Sequence, residues 1–177
     1  GTFTIVRHAC SLFRKQGYGR IVTFTSESGL IGNSGQANYG AAKDAIAGLT
    51  RVVARDLGRY GVTANAISPG AQTRMTDSVP GKARQVKSKQ QPVRDIPDRS
   101  IELRGHADDV APFVTWLASD EAAKVNGRIF HVVGGLVSLL NEPESTKTIR
   151  KEGRWTIEEL VSVFPSTIGL ELFNPAP

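Results

Sequence analysis

Two short β-branched segments separated by a long helical one constrain the fold of this chain most strongly. Residues 21–25 and 62–67 are apolar and rich in β-branched side chains, which predicts two buried strands. Between them, residues 36 to about 57 have apolar side chains at helical spacing, and Gly61 is expected to end that helix. A strand, a long helix and a second strand in this order predict a parallel crossover, and hence an α/β fold. The predicted apolar stripe of the helix consists of Ala41, Ala45, Leu49 and Val52 or Val53.

The flanking segments extend this pattern but leave it incomplete. Residues 2–16 form a predicted helix with an apolar face of Phe3, Val6, Cys10 and Phe13, and glycine at position 17 ends it. A further helix is predicted from Asp108, and a third strand at 127–133. Three parallel strands with two long helices amount to half of a doubly wound sheet. We therefore expect strand 21–25 to have one neighbour and the N-terminal half of such a sheet to be missing from this chain. Either the mature protein is longer, or another chain covers that edge.

Composition restricts the class of protein. The chain has 177 residues, of which 40 % are hydrophobic and 22 % charged, as in an ordinary globular domain. No apolar run approaches the roughly 20 residues that span a bilayer, and no signal peptide is visible. A single cysteine excludes an internal disulfide framework and fits a reducing compartment. The sequence thus predicts a cytoplasmic protein that does not contact a membrane.

The net charge of +5 comes largely from one segment, residues 82–104. That segment contains prolines, has weak periodicity and lacks aromatic residues that could stack on bases. A solvated loop is the first interpretation, and a substrate-side lobe that attracts an anionic group, such as a phosphate-bearing thioester, is the second. No nucleic-acid partner is expected. The basic residues are Lys82, Arg84, Lys87, Lys89, Arg94, Arg99 and Arg104.

A tyrosine, a lysine and a serine form the strongest chemical motif. Tyr39 precedes Lys43 by four residues, so both side chains are expected on one face of the predicted helix. A cation beside a phenol favours the phenolate, which makes the phenol a usable proton donor and acceptor at a carbonyl or alcohol. Ser26 stands thirteen residues before Tyr39, at the end of the first predicted strand.

Other polar residues are predicted to be structural. Ser28 is a competing choice for the serine of the motif, but its spacing to Tyr39 is different. No histidines stand at metal-ligand spacing, so we predict no metal site. The residues interpreted as loop, cap or core groups are Asn33, Asn38, His8, His106, His131, Asp108 and Asp109.

Taken together, these motifs resemble the C-terminal half of short-chain dehydrogenases/reductases over nearly the whole chain. The resemblance rests on Ser26, Tyr39 and Lys43 at their spacing, on Pro69–Gly70 after the second strand, and on a Gly-Arg-Ile…Gly-Gly strand at 127–135. Segments 67–76 and 153–160 are similar to a subgroup of hydroxyacyl-CoA and hydroxysteroid dehydrogenases. The family fold is a Rossmann-like, doubly wound parallel sheet. It implies half of such a domain at 1–140, with 82–104 on the substrate side, and leaves 141–177 as an extension. In that extension the pattern Thr156-Ile-Glu-Glu159 predicts a capping box that begins a short helix, which Pro165 ends.

The resemblance implies a catalytic role for each residue of the motif. Tyr39 would be the general acid/base, giving a proton to a nascent alkoxide or removing one from an alcohol. Lys43 would favour the ionised form of Tyr39 and hydrogen-bond the ribose of a nicotinamide cofactor. Ser26 would hydrogen-bond the substrate oxygen and steady its developing charge.

The resemblance also implies a cofactor, either NAD or NADP. Tyr39 and Lys43 would contact it, Pro69–Gly70 and Thr73 would lie against the nicotinamide carboxamide, with Thr76 as a competitor for Thr73, and Met75 would line the pocket. The family's phosphate-binding glycine loop is absent from the sequence, as is the residue that distinguishes the two dinucleotides.

The leading hypothesis is an NAD(P)-dependent oxidoreductase that interconverts a secondary alcohol and a ketone. Its small-molecule substrate would be a 3-hydroxyacyl thioester or a steroid. By the resemblance, the two long helices would form contacts in a homo-oligomer, a dimer or a tetramer. The alternatives are a catalytically silent binding or assembly module and a basic protein that binds its partner through 82–104.

Overall fold

The computed structural model describes residues 1–74 and 105–172 and divides the chain into two compact units, Gly1–Asn141 and Glu142–Pro177. The first unit contains a four-stranded sheet in which the strands are hydrogen-bonded in chain order. The strands are β1 (Gly19–Phe24), β2 (Val62–Gly70), β3 (Ile129–Val133) and β4 (Leu136–Leu139).

Three of these strands were expected, and the fourth was not. β1, β2 and β3 are parallel, which confirms the predicted crossover. β4 pairs antiparallel with β3, with Val133 opposite Leu136. Gly134, in the left-handed region at φ 53°, begins the two-residue link between these strands. The sequence reasoning ended the third strand at this glycine pair and missed the short strand that follows.

The helices of the first unit are α1 (Thr2–Gln16), α2 (Glu27–Leu30), α3 (Ala37–Leu57) and α4 (Ala111–Leu117). α1 and α3 confirm the two long predicted helices, and Gly17 ends α1 at φ 70°. α2, which overlaps the glycine-rich residues 29–35, was not predicted as a helix. α4 follows a short 3-10 turn whose N-cap is His106, and the Asp109 carboxylate completes that capping box by accepting a hydrogen bond from His106 N at 2.6 Å.

The core lies on both faces of β2, whose residues 62–68 are all buried. One cluster joins β1 and β2 to α1 and α3, and another joins Ile67 to α4. The predicted phase of α3 is partly wrong, because Ala41 and Ala45 are exposed. Val53 is the buried member of the Val52/Val53 pair. Small residues occur on every side of this helix, so its sequence indicates the buried face only weakly.

β1 pairs with β2 alone among the described strands, as expected. The side chains of Ile21, Thr23 and Thr25 are buried, but Phe24 is 42 % exposed. The predicted burial of this strand is therefore wrong at its carboxyl end, where the Phe24 side chain is exposed among the described residues. A cavity of about 400 Å³ follows the strand on this side, between α1 and the start of α3.

The second unit contains α5 (Ile157–Val163), which begins with the predicted capping box. Thr156 Oγ1 accepts a hydrogen bond from Glu159 N at 3.2 Å, and the Glu159 carboxylate accepts one from Thr156 N at 2.8 Å. Lys151 Nζ donates to the same carboxylate at 2.6 Å. Among the described helices of the whole chain, none is long and apolar enough to cross a membrane.

Candidate active site

The predicted site residues come from three elements that meet at one edge of the sheet. Ser26 follows β1 by two residues, and Pro69 and Gly70 are the last residues of β2. Because these strands are parallel, their carboxyl ends lie at the same edge, where ligands bind in open α/β sheets. α3 begins at Ala37, so Tyr39 and Lys43 lie in its first two turns.

Lys43 connects the tyrosine to the end of β1. Its Nζ atom lies 5.7 Å from the centroid of the Tyr39 ring and donates a hydrogen bond to Phe24 O at 3.0 Å. An ammonium group has three protons, so this bond leaves two for other acceptors. The Tyr39 side chain is 44 % exposed. The structure thus places a cation beside an accessible phenol.

Ser26 lies at the N-terminus of α2 as its N-cap residue. Its Oγ accepts a hydrogen bond from Ser28 N at 3.3 Å, near the upper limit for such a bond. The preceding Thr25 is buried, and its Oγ1 donates to Lys43 O at 2.8 Å. This bond joins the end of β1 to the turn of α3 that contains Lys43, and so holds the serine segment beside that helix.

Two glycines let α2 lie directly against α3. A Cβ atom on Gly29 would be 2.6 Å from Asp44 N, and one on Gly40 would be 2.8 Å from Ser28 O. Real Cβ atoms do not approach backbone atoms so closely, so both positions require glycine. Sequence reasoning missed this junction, although the glycine-rich composition of segment 29–40 was its signal.

A polar network closes the loop between α2 and α3. Asn33 Nδ2 donates to Gln36 Oε1 at 2.7 Å and to Ser28 Oγ at 3.4 Å, while Ser28 Oγ donates to Gln36 Oε1 at 2.8 Å. Ser28, the competing serine of the motif, therefore has its hydroxyl engaged in this network. Gln36 is also the N-cap residue of α3.

The far side of the edge is formed by the end of β2. A Cβ atom on Gly70 would be 2.8 Å from Val133 Cβ, so the end of this strand is crowded. Gln72 N donates to Gly105 O at 2.8 Å, and Thr73 is exposed. Met75, Thr76 and the basic segment 82–104 lie outside the described residues.

The histidines are on separate elements, as expected. His8 lies exposed on α1, His106 caps the 3-10 turn before α4, and His131 is in β3. No cluster of three or more potential metal ligands is found within residues 1–74 and 105–172. Cys10 is half-buried, and burial raises the pKa of its thiol.

Comparison with known proteins identifies the family. A family model described as enoyl-(acyl carrier protein) reductase matches residues 1–137. The chain belongs to the short-chain dehydrogenase/reductase family. It is 39 % identical over 176 residues to the hydroxyacyl-CoA dehydrogenase ChsB1 of Mycobacterium tuberculosis, covering 92 % of this chain and 50 % of that protein. It is 37 % identical over 139 residues to a 3-oxoacyl-[acyl-carrier-protein] reductase of Synechocystis, covering 77 % of this chain and 52 % of the reductase.

A solved structure extends the similarity to nearly the whole chain. A short-chain dehydrogenase from Mycobacterium avium matches with a TM-score of 0.75 and 37 % identity, covering 99 % of this chain and 55 % of that one. The chain spans about half the length of these dehydrogenase and reductase relatives. The match confirms the Rossmann-like α/β fold, and the family confirms the resemblance seen in the motifs.

Proposed function

We propose that this protein acts as an NAD(P)-dependent oxidoreductase that interconverts a secondary alcohol and a ketone, with Ser26, Tyr39 and Lys43 as the catalytic residues. The observation that carries the proposal is the Lys43 ammonium, 5.7 Å from the Tyr39 ring, at the edge of the sheet where Ser26 follows β1. Bound NAD or NADP would supply or accept the hydride.

Tyr39 would exchange the proton at the reacting oxygen. In reduction it would donate its phenolic proton to the substrate oxygen as negative charge develops there, and in oxidation it would accept the hydroxyl proton. Its partial exposure supports this role, because a substrate can reach the hydroxyl.

Lys43 would favour the ionised phenol through its charge. Its bond to Phe24 O fixes the ammonium near the ring, and its other two protons remain for the ribose hydroxyls of the cofactor. Ser26 would donate its hydroxyl proton to the substrate oxygen. It can do so while capping α2, because the bond from Ser28 N uses one lone pair of its Oγ atom.

The described residues fit the nicotinamide end of such a cofactor. Lys43 offers donors to a ribose, and Gly70 brings backbone without a side chain to the crowded end of β2. We propose that Pro69, Gly70 and Thr73 contact the nicotinamide carboxamide. The sequence has no glycine-rich phosphate loop, so we assign no residue of this chain to the phosphates.

For the substrate we propose a 3-hydroxyacyl or 3-oxoacyl thioester rather than a steroid. One relative is named a hydroxyacyl-CoA dehydrogenase and another a 3-oxoacyl-[acyl-carrier-protein] reductase. We also propose a homo-oligomer formed through the two long helices. Its support is a set of exposed apolar side chains on α1 and α3, namely Phe3, Ile5, Leu12 and Val52.

The test measures the reduction of NAD or NADP by a 3-hydroxyacyl-CoA, and the absorbance of the reduced nicotinamide reports the rate. Tyr39→Phe is expected to lower kcat at least a hundredfold, because it removes the proton donor and keeps the ring. Tyr18→Phe is the matched control, since Tyr18 is 45 % exposed and lies just before β1, away from the motif. It should leave turnover unchanged.

Two outcomes would overturn the proposal. The mechanism is wrong if Tyr39→Phe keeps its turnover. An intact mass near 19.0 kDa for protein that binds neither dinucleotide would instead favour the silent binding module.

A further inference from the structure

The segment that begins at Ser26 has a contact with β3 that the sequence did not predict. The side chain of Glu27, the residue next to Ser26, reaches β3, where its Oε1 atom lies 3.7 Å from His131 Nε2. The histidine side chain is 18 % exposed and the glutamate side chain 42 %. This contact links the start of α2 to the third strand of the sheet.

The His131 ring has few alternatives to this contact. Its Nδ1 atom is buried and has no hydrogen-bond partner among the described residues. With a proton on Nε2, the imidazole directs its N–H toward the glutamate carboxylate. Removing the carboxylate would take away this polar neighbour of the ring.

His131 also lies beside the other end of the proposed site. A Cβ atom on Gly70 would be 3.6 Å from His131 Cε1, and His131 pairs in register with Ser68 of β2. The ring therefore stands between the segment with Ser26 and the strand end with Pro69–Gly70. One side chain thus lies near both sides of the edge where substrate and nicotinamide would meet.

We propose that His131 is a positioning residue which, through Glu27, holds Ser26 at the distance from the β2 end that hydride transfer needs. The inference rests on the proposed function, because the distance matters only if Ser26 contacts the substrate oxygen. A small displacement of a catalytic group lowers turnover strongly while substrate binding changes little.

The shape of the substituted side chain provides a direct test. Glutamine at position 131 places an amide N–H near the position of Nε2, whereas asparagine ends near Nδ1 and cannot reach Glu27. His131→Asn is expected to lower kcat about tenfold with KM unchanged within about twofold. His131→Gln should retain most of the turnover. A purely structural role would give both variants the same kcat.

A variant of Glu27 gives a second measurement, which does not require a protein substituted in β3 to fold. Glu27→Ala, which removes the acceptor, should also lower kcat about tenfold, and the His131→Asn/Glu27→Ala double variant should be no slower than the slower single variant. Additive losses would overturn the proposal, because they would mean that the two residues act separately. His106→Asn is the matched control: His106 lies 3.2 Å from Asp108, mostly exposed, and asparagine can still cap the turn.

The experiment separates the two proposals. If Ser26→Ala and Tyr39→Phe abolish turnover while folded His131→Asn and Glu27→Ala match the unmodified protein, the positioning role is wrong and the proposed function stands. If Ser26→Ala and Tyr39→Phe keep their turnover, the proposed function itself is wrong.

Discussion

Two of the described α-helices begin at a hydroxyl residue, and they differ in what the nearby glutamate does. At α5, Thr156 and Glu159 cap each other reciprocally, and Lys151 binds the same glutamate. At α2, Ser26 accepts one long bond from Ser28 N, and the following glutamate reaches away to β3. Both hydroxyls accept one backbone N–H and keep their own proton; the difference lies in the glutamate, which closes a capping box at α5 and reaches β3 at α2.

The comparison shows how a weak cap can serve a site. A full capping box would fix both the hydroxyl and the backbone of Ser26 within α2. The serine segment is instead held by its surroundings, through the Thr25 bond to α3, the glycine junction and the loop network. These contacts position Ser26 while its hydroxyl proton stays available for another acceptor.

The largest expected effect is a loss of turnover on removal of the Ser26 hydroxyl. Ser26→Ala should lower kcat by a factor of about 10² to 10³, as loss of a donor to a developing oxyanion does. Its free energy of unfolding should change by less than about 1 kcal/mol, because the lost cap is a single long bond. Turnover and urea unfolding of the same variant measure both quantities. An unchanged kcat would show that Ser26 has no catalytic role.

The glycine junction provides the next effect, on stability. Gly40→Ala would place a Cβ atom 2.8 Å from Ser28 O and should destabilise the protein by about 1–3 kcal/mol. Gly48→Ala in the same helix is the control, since no atom lies within 4 Å of its Cβ position, and it should stabilise by about 0.5–1 kcal/mol. Thermal unfolding measures both. Equal effects of the two variants would show that α2 does not need its close approach to α3.

Thr156→Ala is the counterpart of the serine variant. It should lower the stability of α5 by about 1 kcal/mol through loss of the cap, and leave turnover unchanged. Amide hydrogen exchange across residues 157–163 measures the first expectation and a cofactor assay the second. Loss of turnover in this variant would contradict the division between a structural and a catalytic hydroxyl.

The smallest effect concerns pH. The Lys151 side chain, followed by the Thr156 backbone N–H, holds the pKa of the Glu159 carboxyl below its usual value. A depressed folded-state pKa contributes stability that is present above the unfolded value and is lost as the pH falls through the folded one. α5 should therefore fray as the pH falls below the usual glutamate range, and Glu159→Gln should remove this dependence. Amide hydrogen exchange of residues 157–163, measured across that pH range, tests this expectation. Exchange rates that do not depend on the state of Glu159 would contradict it.

The long periodic elements could be predicted from sequence, and short or weakly patterned ones could not. The helix at 2–16, the crossover helix and the three parallel strands follow from apolar spacing and glycine stops. α2 and β4 span four residues each, too short to show a period. The buried face of α3 was partly wrong, because alanine and glycine occur on all of its sides.

For the site, spacing along the chain predicts which residues are neighbours within one helix. It does not predict which residues of separate elements meet. Tyr39 and Lys43 are one helical turn apart, so the sequence determines that they are neighbours. The thirteen-residue spacing to Ser26 has meaning only through the family resemblance. Glu27 and His131 are more than a hundred residues apart, and no local pattern connects them.

The sequence alone determined the α/β class, the crossover, the capping box of α5 and the neighbourhood of Tyr39 and Lys43, because each depends on local side-chain spacing. Only the tertiary structure decided that α2 lies against α3 at two glycines, that Lys43 reaches the last carbonyl of β1, and that Glu27 meets His131. These contacts join separate strands and helices, so they exist only once the sheet brings those elements together.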